Sequence, residues 1–285
     1  MATPLAQDID YHGFPAIHLR SPDGAEAIVL LYGGHIVSWK PAGDEERLYL
    51  SEKAFFEAGK PVRGGVPICF PQFGTTGPLP QHGFVRTQMW EKVAARAGDD
   101  FAMATLRLKD NAETRALWPH AFQVELSVGV SNARLDMEFE VENTGESAFE
   151  FSAALHTYVR VKEVEEVRLE GLRGQTYRNL LNLNAKEETV DSGIAVTIDR
   201  ELSRLYYETE NPLLLRETDR SLGINSDNMP DTVVWNPWVE TCAKIPDLPA
   251  NGFRRYLCVE AGAIQNPVQL QAAESWWGRQ TLVAM

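Results

Sequence analysis

Along much of this chain apolar and polar residues alternate with a period of two. In residues 134–142, Leu135, Met137, Phe139 and Val141 fall on one side and Asp136, Glu138 and Glu140 on the other. That pattern predicts a strand with one buried and one solvated face. Residues 122–130 alternate in the same way, and Ser131-Asn132-Ala133 between the two runs predicts a hairpin. Asn143-Thr144-Gly145 then turns the chain toward an apolar run at 151–160. Further strands are predicted at 27–31, 35–39, 101–108, 167–169, 194–198, 232–235, 256–260, 268–270 and 277–283. Helical periodicity is scarce, with short helices predicted only at 52–58 and 113–118. Many closely spaced strands punctuated by Gly and Pro predict an all-β fold, a large antiparallel sandwich. No linker, repeat or low-complexity tract interrupts residues 1–285, so a single domain is expected.

Charge narrows the partners. Lys and Arg number 27 against 40 Asp and Glu, a formal net charge of −13. That balance argues against nucleic acid or an anionic membrane surface, and it means that an anionic substrate needs a local basic site. No apolar run approaches the length of a membrane span, and the first residues carry neither a basic nor an apolar leader segment. The three cysteines, Cys69, Cys242 and Cys258, form no paired framework, so a reduced, cytoplasmic compartment is expected.

Two ionisable residues interrupt apolar runs: His156 in residues 151–160 and Glu260 in residues 256–260. Burying such a group is costly unless it is paired or used. An imidazole and a carboxylate together can act as acid and base near neutral pH. For His156 a hydrogen-bonded core histidine is the plain alternative. Glu260 has no local salt partner in sequence, which favours a functional role. Alternation puts Ala154, His156, Tyr158 and Arg160 on one face and Tyr256, Cys258 and Glu260 on one face, without showing that the two faces meet.

Residues 61–86 hold five prolines and five glycines and predict a stiff, irregular loop that a ligand can approach closely. Arg63 and Arg86 bracket it. Two converging guanidinium groups suit a phosphate, although arginines are mostly ordinary surface residues. His82 shares the loop, as a ligand-binding group or a solvated one. Aromatic rings beside amides hold sugars well. Of Phe70, Phe73, Trp235 and Trp238, the turn signal Asn236-Pro237 makes Trp238 the most available, and Trp235 is expected in the core. The six histidines show no ligand spacing such as H-x-x-x-H, so no metal is expected. No glycine-rich nucleotide motif and no G-x-S-x-G nucleophile is present, so no cofactor is implied.

Five segments occur in order over most of the chain: 63–74 (RGGVPICFPQFG), 81–86 (QHGFVR), 155–160 (LHTYVR), 233–238 (VVWNPW) and 258–262 (CVEAG). Together they resemble the hexose-6-phosphate mutarotase branch of the aldose 1-epimerase family. The resemblance implies a galactose-mutarotase-like β-supersandwich and interconversion of the α and β anomers of a sugar phosphate. It implies His156 as general acid and Glu260 as general base. It implies Arg63, Gln81 and Arg86 as substrate-binding residues, the arginines near the 6-phosphate, with His82 as the family's second active-site histidine. One position departs: Ser203, in Ser203-Arg204-Leu205-Tyr206, stands where the family has a substrate-binding Asp, with Asp199 four residues earlier as a substitute. A monomer acting on a small sugar phosphate is expected. Competing readings are an epimerase for unphosphorylated aldoses and a non-catalytic sugar-phosphate-binding protein. A glycoside hydrolase ranks last, since it needs two carboxylates and only Glu260 is a strong candidate.

Overall fold

The computed structural model describes residues 5–182, 187–209 and 211–285. The chain opens with β1 (Leu5–Tyr11), β2 (Phe14–Arg20), β3 (Glu26–Leu30) and β4 (His35–Lys40). These pair in sequence order as an antiparallel four-stranded sheet. Next come β5 (Ile68–Cys69), β6 (Glu91–Ala97), β7 (Ala102–Lys109), helix α1 (Ala112–Leu117), β8 (Phe122–Ser131) and β9 (Arg134–Asn143). The chain continues through β10 (Phe149–Leu155), β11 (Tyr158–Arg160), β12 (Arg168–Glu170), β13 (Thr176–Asn179), β14 (Glu188–Val190) and β15 (Ala195–Val196). It ends with β16 (Leu202–Tyr206), β17 (Leu213–Arg216), β18 (Ser221–Asp227), β19 (Asp231–Asn236), helix α2 (Trp238–Lys244), β20 (Tyr256–Leu270) and β21 (Ser275–Ala284).

Two large antiparallel sheets carry most of these strands. One has nine, in the order β15-β12-β17-β18-β21-β9-β8-β7-β6. The other has eight, in the order β14-β13-β16-β19-β20-β10-β5, with β11 also on β20. The expected hairpin is there: β8 and β9 pair from Phe122↔Asn143 to Ser131↔Arg134, and Asn132 turns in the left-handed region at φ 45°. The inward side chains of all three sheets join one apolar core. At its centre Phe70 lies edge-on to Trp118 and Phe139 and packs on Phe122 and Phe151, with ring centroids 5.2–5.8 Å apart.

The fold is the expected antiparallel β architecture, and its departures from the sequence reading have local causes. Residues 52–58 form turns rather than a helix. Phe56 is held by stacking on His12 at 4.4 Å, and Ser51 Oγ captures the Lys53 amide. The predicted helix at 113–118 is α1, capped by Asn111, whose side chain accepts from the amides of Glu113 and Thr114. The predicted strands 256–260 and 268–270 are the two ends of β20. Pro267 lies on an exposed stretch of that strand, beside a shift in its register with β10. Asp231 satisfies the displaced amides of Ile264 and Gln265, each at 2.7 Å.

Phe70→Ala removes the ring around which four aromatic neighbours pack and should cost about 3–5 kcal/mol. Urea denaturation would measure it, and a loss below about 1 kcal/mol would show that the cluster repacks without it.

Candidate active site

Strand pairing brings His156 and Glu260 together. Leu155 pairs with Ala261 and Tyr158 with Cys258, so the His156-Thr157 link between β10 and β11 lies against Val259 and Glu260. His156 therefore stands at a break between strands rather than in mid-strand. Its amide donates to Pro67 O at 3.0 Å, and Thr157 O accepts from Val259 N at 3.0 Å. The two faces meet: His156 Nε2 is 3.3 Å from Glu260 Oε1. Glu260 is 1 % exposed and His156 7 %. His156 Nδ1 and Glu260 Oε2 are buried without hydrogen-bond partners among the described residues.

Burial disfavours charge on both groups. It raises Glu260 well above the usual carboxylate range. It lowers His156 well below the usual imidazole value, and the nearby guanidinium groups of Arg86 and Arg63 add to that effect. Both shifts work against an ion pair and toward the neutral forms of the two groups.

Arg63 is fixed from two sides. Its Nε donates to Asp247 Oδ1 at 3.1 Å and its Nη1 to Tyr158 Oη at 3.2 Å. Burial works against its charge, but Tyr158 and Asp247 outweigh it and raise the guanidinium pKa. The loop behind it is clamped: Gly65 N donates to Tyr49 O, and buried His35 Nε2 lies 2.7 Å from Gly64 O. Gly65 has φ 62°, and a Cβ there would lie 2.1 Å from Ile36 O. Only glycine allows that approach.

His82 and Arg86 stand on the neighbouring loop. Phe70 and Gly83 bridge it to β5, and a Cβ on Gly83 would lie 2.0 Å from Phe70 O. The His82 ring meets the His156 ring edge-on at 5.3 Å. Its Nδ1 accepts from Gly74 N at 3.3 Å and lies 3.2 Å from Cys69 Sγ, which leaves the ring proton on Nε2. Burial, with Arg86 and Arg63 nearby, lowers His82 to about 3, so it is a neutral donor. Arg86 Nη2 donates to Gln81 O at 2.7 Å. Among the described residues Arg86 has no carboxylate partner, and burial lowers its pKa. Gln81 is exposed at the rim, its amide nitrogen 3.5 Å from His82 Nε2.

Both tryptophans are half-buried, and Trp235, expected in the core, is one that packs beside His156. Trp235 lies edge-on to His156 and Tyr158, at 6.0 and 6.1 Å. Trp238 begins α2 and packs on Phe253 at 5.1 Å. The reason is buried Asn236, whose side chain donates to Phe253 O and Tyr256 O and accepts from Trp238 N. This amide turns the chain away from the sheet after Trp235. Ser203 pairs with Trp235, Trp235 with Cys258 and Cys258 with Tyr158, so these four share the face of the acid/base pair. Asp199 is exposed and ion-paired with Arg200 at 2.8 Å. A cleft of about 540 Å³ lined by Asn179, Asp191, Asp199, Arg200, Ser203 and Arg204 lies at this end of β16. Both of its arginines are already satisfied, Arg204 by Asp191 and Tyr206 and Arg200 by Asp199.

Sequence reasoning missed Asp247, His35 and Cys69 as supports. Asp247 lies 184 residues from Arg63, and no local pattern links them. Tyr158 carried a signal, since alternation already placed it on the face of His156.

This geometry agrees with the comparisons. The model of the family described as aldose 1-epimerase matches residues 15–282. Proteins named "Putative glucose-6-phosphate 1-epimerase" from Cenchrus ciliaris and Escherichia coli K12 are 34% and 32% identical to the chain. The alignments cover 94% and 91% of it and 87% and 89% of those proteins. The crystal structure of "a putative mutarotase (YeaD)" from Salmonella typhimurium superposes with a TM-score of 0.90 at 29% identity, covering 100% of this chain and 95% of that one. The galactose 1-epimerase of Lactobacillus acidophilus shares the fold, with a TM-score of 0.78 at 14% identity and 99% of each chain covered. A buried imidazole–carboxylate pair on a galactose-mutarotase-like sheet and a family match over nearly the whole length converge: the chain belongs to the aldose 1-epimerase family and is an isomerase of sugar anomers.

Proposed function

We propose that this enzyme interconverts the α and β anomers of a hexose 6-phosphate, glucose 6-phosphate foremost, with His156 and Glu260 as acid and base. The observation that carries the phosphate is Arg86. It stands partly buried beside Arg63 and His82, without a carboxylate partner among the described residues, in a protein of net charge −13. A guanidinium left without a counterion costs free energy that an anionic ligand recovers. Arg63, Arg86 and His82 Nε2–H supply donors for it, and Gln81 lies at its rim. The relatives named for glucose 6-phosphate favour the same substrate.

In the reaction Glu260 takes the proton of the C1 hydroxyl while His156 gives one to the ring oxygen, and the C1–O5 bond breaks. The open aldehyde turns about C1–C2. His156 then recovers its proton as O5 attacks the other face of C1, and Glu260 returns one to O1. The pair holds one proton before, during and after the cycle, so no cofactor enters the balance. Starting the cycle requires that proton on His156. A phosphate beside Arg86 and Arg63 cancels the positive charge that, together with burial, holds His156 neutral. Substrate binding thus moves the shared proton toward the imidazole. Trp235 offers an apolar edge to the sugar, and Trp238, packed on Phe253, frames the loop behind it.

Magnetisation-exchange NMR on equilibrated glucose 6-phosphate, with glucose in parallel, tests the reading. Faster exchange of the phosphate ester alone is expected. Equal acceleration of glucose would move the substrate to unphosphorylated aldoses, and binding without acceleration would make the protein a sensor. Glu260→Gln and His156→Ala should each lower the rate by about 10²–10⁴-fold; near-normal rates would refute the assignment.

Arg63→Ala and Arg86→Ala should raise KM for glucose 6-phosphate by about 10- to 100-fold. Asp247→Asn should raise KM less, with kcat little changed, because Arg63 stays but loses its anchor. Unaltered affinity in both arginine variants would exclude the phosphate site.

The pair works only while it holds one proton. Below its lower macroscopic pKa no base remains, and above the higher no acid remains. Burial first, and then the neighbouring positive charges, lower His156, while burial raises Glu260. The acid limb of kcat/KM should therefore fall below pH 6.5, with activity held through neutral pH and lost on the alkaline side. A single limb centred at the ordinary histidine value would contradict the coupled pair.

A further inference from the structure

The acid/base pair has a third neighbour that the proposed reaction does not use. Cys258 precedes Glu260 by two residues on β20, so its thiol stands on the same face. One nitrogen of His156, Cys258 Sγ and one carboxylate oxygen of Glu260 all lie within 4.8 Å of one another. A tetrahedral zinc ion holds such N, S and O ligands at about 2.0–2.3 Å, which puts the ligand atoms roughly 3.3–3.8 Å apart. His156 Nε2 and Glu260 Oε1 already stand at 3.3 Å, so the set closes with a shift of the thiol side of about 1 Å. Sequence spacing hides the set, because β10–β11 and β20 bring it together from 102 positions apart, residue 156 to residue 258.

We propose that a thiophilic divalent cation of the zinc class binds across His156, Cys258 and Glu260, with water as fourth ligand, and inhibits the enzyme reversibly by occupying acid and base together.

Two features support the site and set its character. Glu260 Oε2 is buried without a partner among the described residues, so the carboxylate has coordinating capacity to spare. Charge is conserved: the ion replaces the thiol proton and the one proton of the pair, two charges for two, so Arg63 and Arg86 do not repel the occupied site more than the empty one. The set also lacks a support that resident metals have. A ligating histidine normally donates its other nitrogen to a second group, and losing that contact costs about 10–100-fold in affinity. His156 Nδ1 has no such partner among the described residues. The site thus suits an ion that comes and goes.

The test uses the full chain, freed of metal by a chelator, with Co²⁺ as probe and no sugar present. One equivalent of Co²⁺ should produce a thiolate-to-cobalt absorption band in the near ultraviolet. Cys258→Ser should lose the band, and Glu260→Gln should weaken Co²⁺ binding by about tenfold or more. In the exchange assay zinc should slow the wild type, a chelator should restore it, and Cys258→Ser should keep its rate while needing about tenfold more zinc for the same inhibition. Absence of a thiolate band in the wild type would overturn the proposal. So would a Cys258→Ser protein that keeps the band or remains equally sensitive to zinc. If Cys258→Ser does not fold, Glu260→Gln decides by the cobalt titration alone, and unchanged Co²⁺ affinity there overturns the site. The cobalt titration involves no sugar, so its outcome is separate from the choice of substrate.

Discussion

The structure turns on the burial of a carboxylate beside an imidazole on an interior strand of the eight-stranded sheet. Glu260 is 1 % exposed, and its nearest titratable contact is His156. An isolated buried carboxylate would be costly. A neutral carboxyl beside a neutral imidazole makes the pair tolerable, and the proposed reaction uses the one proton between them. The surrounding elements serve that arrangement. β11 and β10 hold His156 against β20, the Phe70 bridge holds His82 beside it, and the Gly64–Gly65 turn holds Arg63 above it.

The charge pattern runs against the bulk of the molecule. A net charge of −13 coexists with two arginines grouped beside the acid/base pair. Arg63 is compensated by Asp247 and Tyr158, and Arg86, among the described residues, by a backbone oxygen alone. One guanidinium is thereby fixed in place while the other retains its demand for an anion. Asp247 therefore matters through the shape it gives Arg63.

Much of this was legible in the sequence. Alternation in residues 122–142 is strict because that hairpin has one face in the core and one in solvent. β6 and β14 have no buried face, and their residues show no such alternation. β20 read as two strands because Pro267 sits on its exposed stretch. His156 and Glu260 stood out as ionisable residues in apolar runs. Their meeting did not, because register between strands is a tertiary property. Trp235 and Trp238 were weighed by the local turn signal, whereas the side chain of Asn236 decides their places. Asp247 could not be found, since an ion pair over such a separation leaves no local trace.

The pairing of β20 with β10 and β11 has a further consequence. Successive side chains of a strand point to opposite faces, so a slip of one residue would carry Glu260 through the sheet and put Val259 or Ala261 in its place. The His156–Glu260 pair has no partly formed version: a chain with this register has it, and a chain one step out of register has none. On the proposed mechanism, turnover counts correctly zipped molecules, and recovery of activity during refolding would report the locking of this one strand junction rather than the collapse of the core.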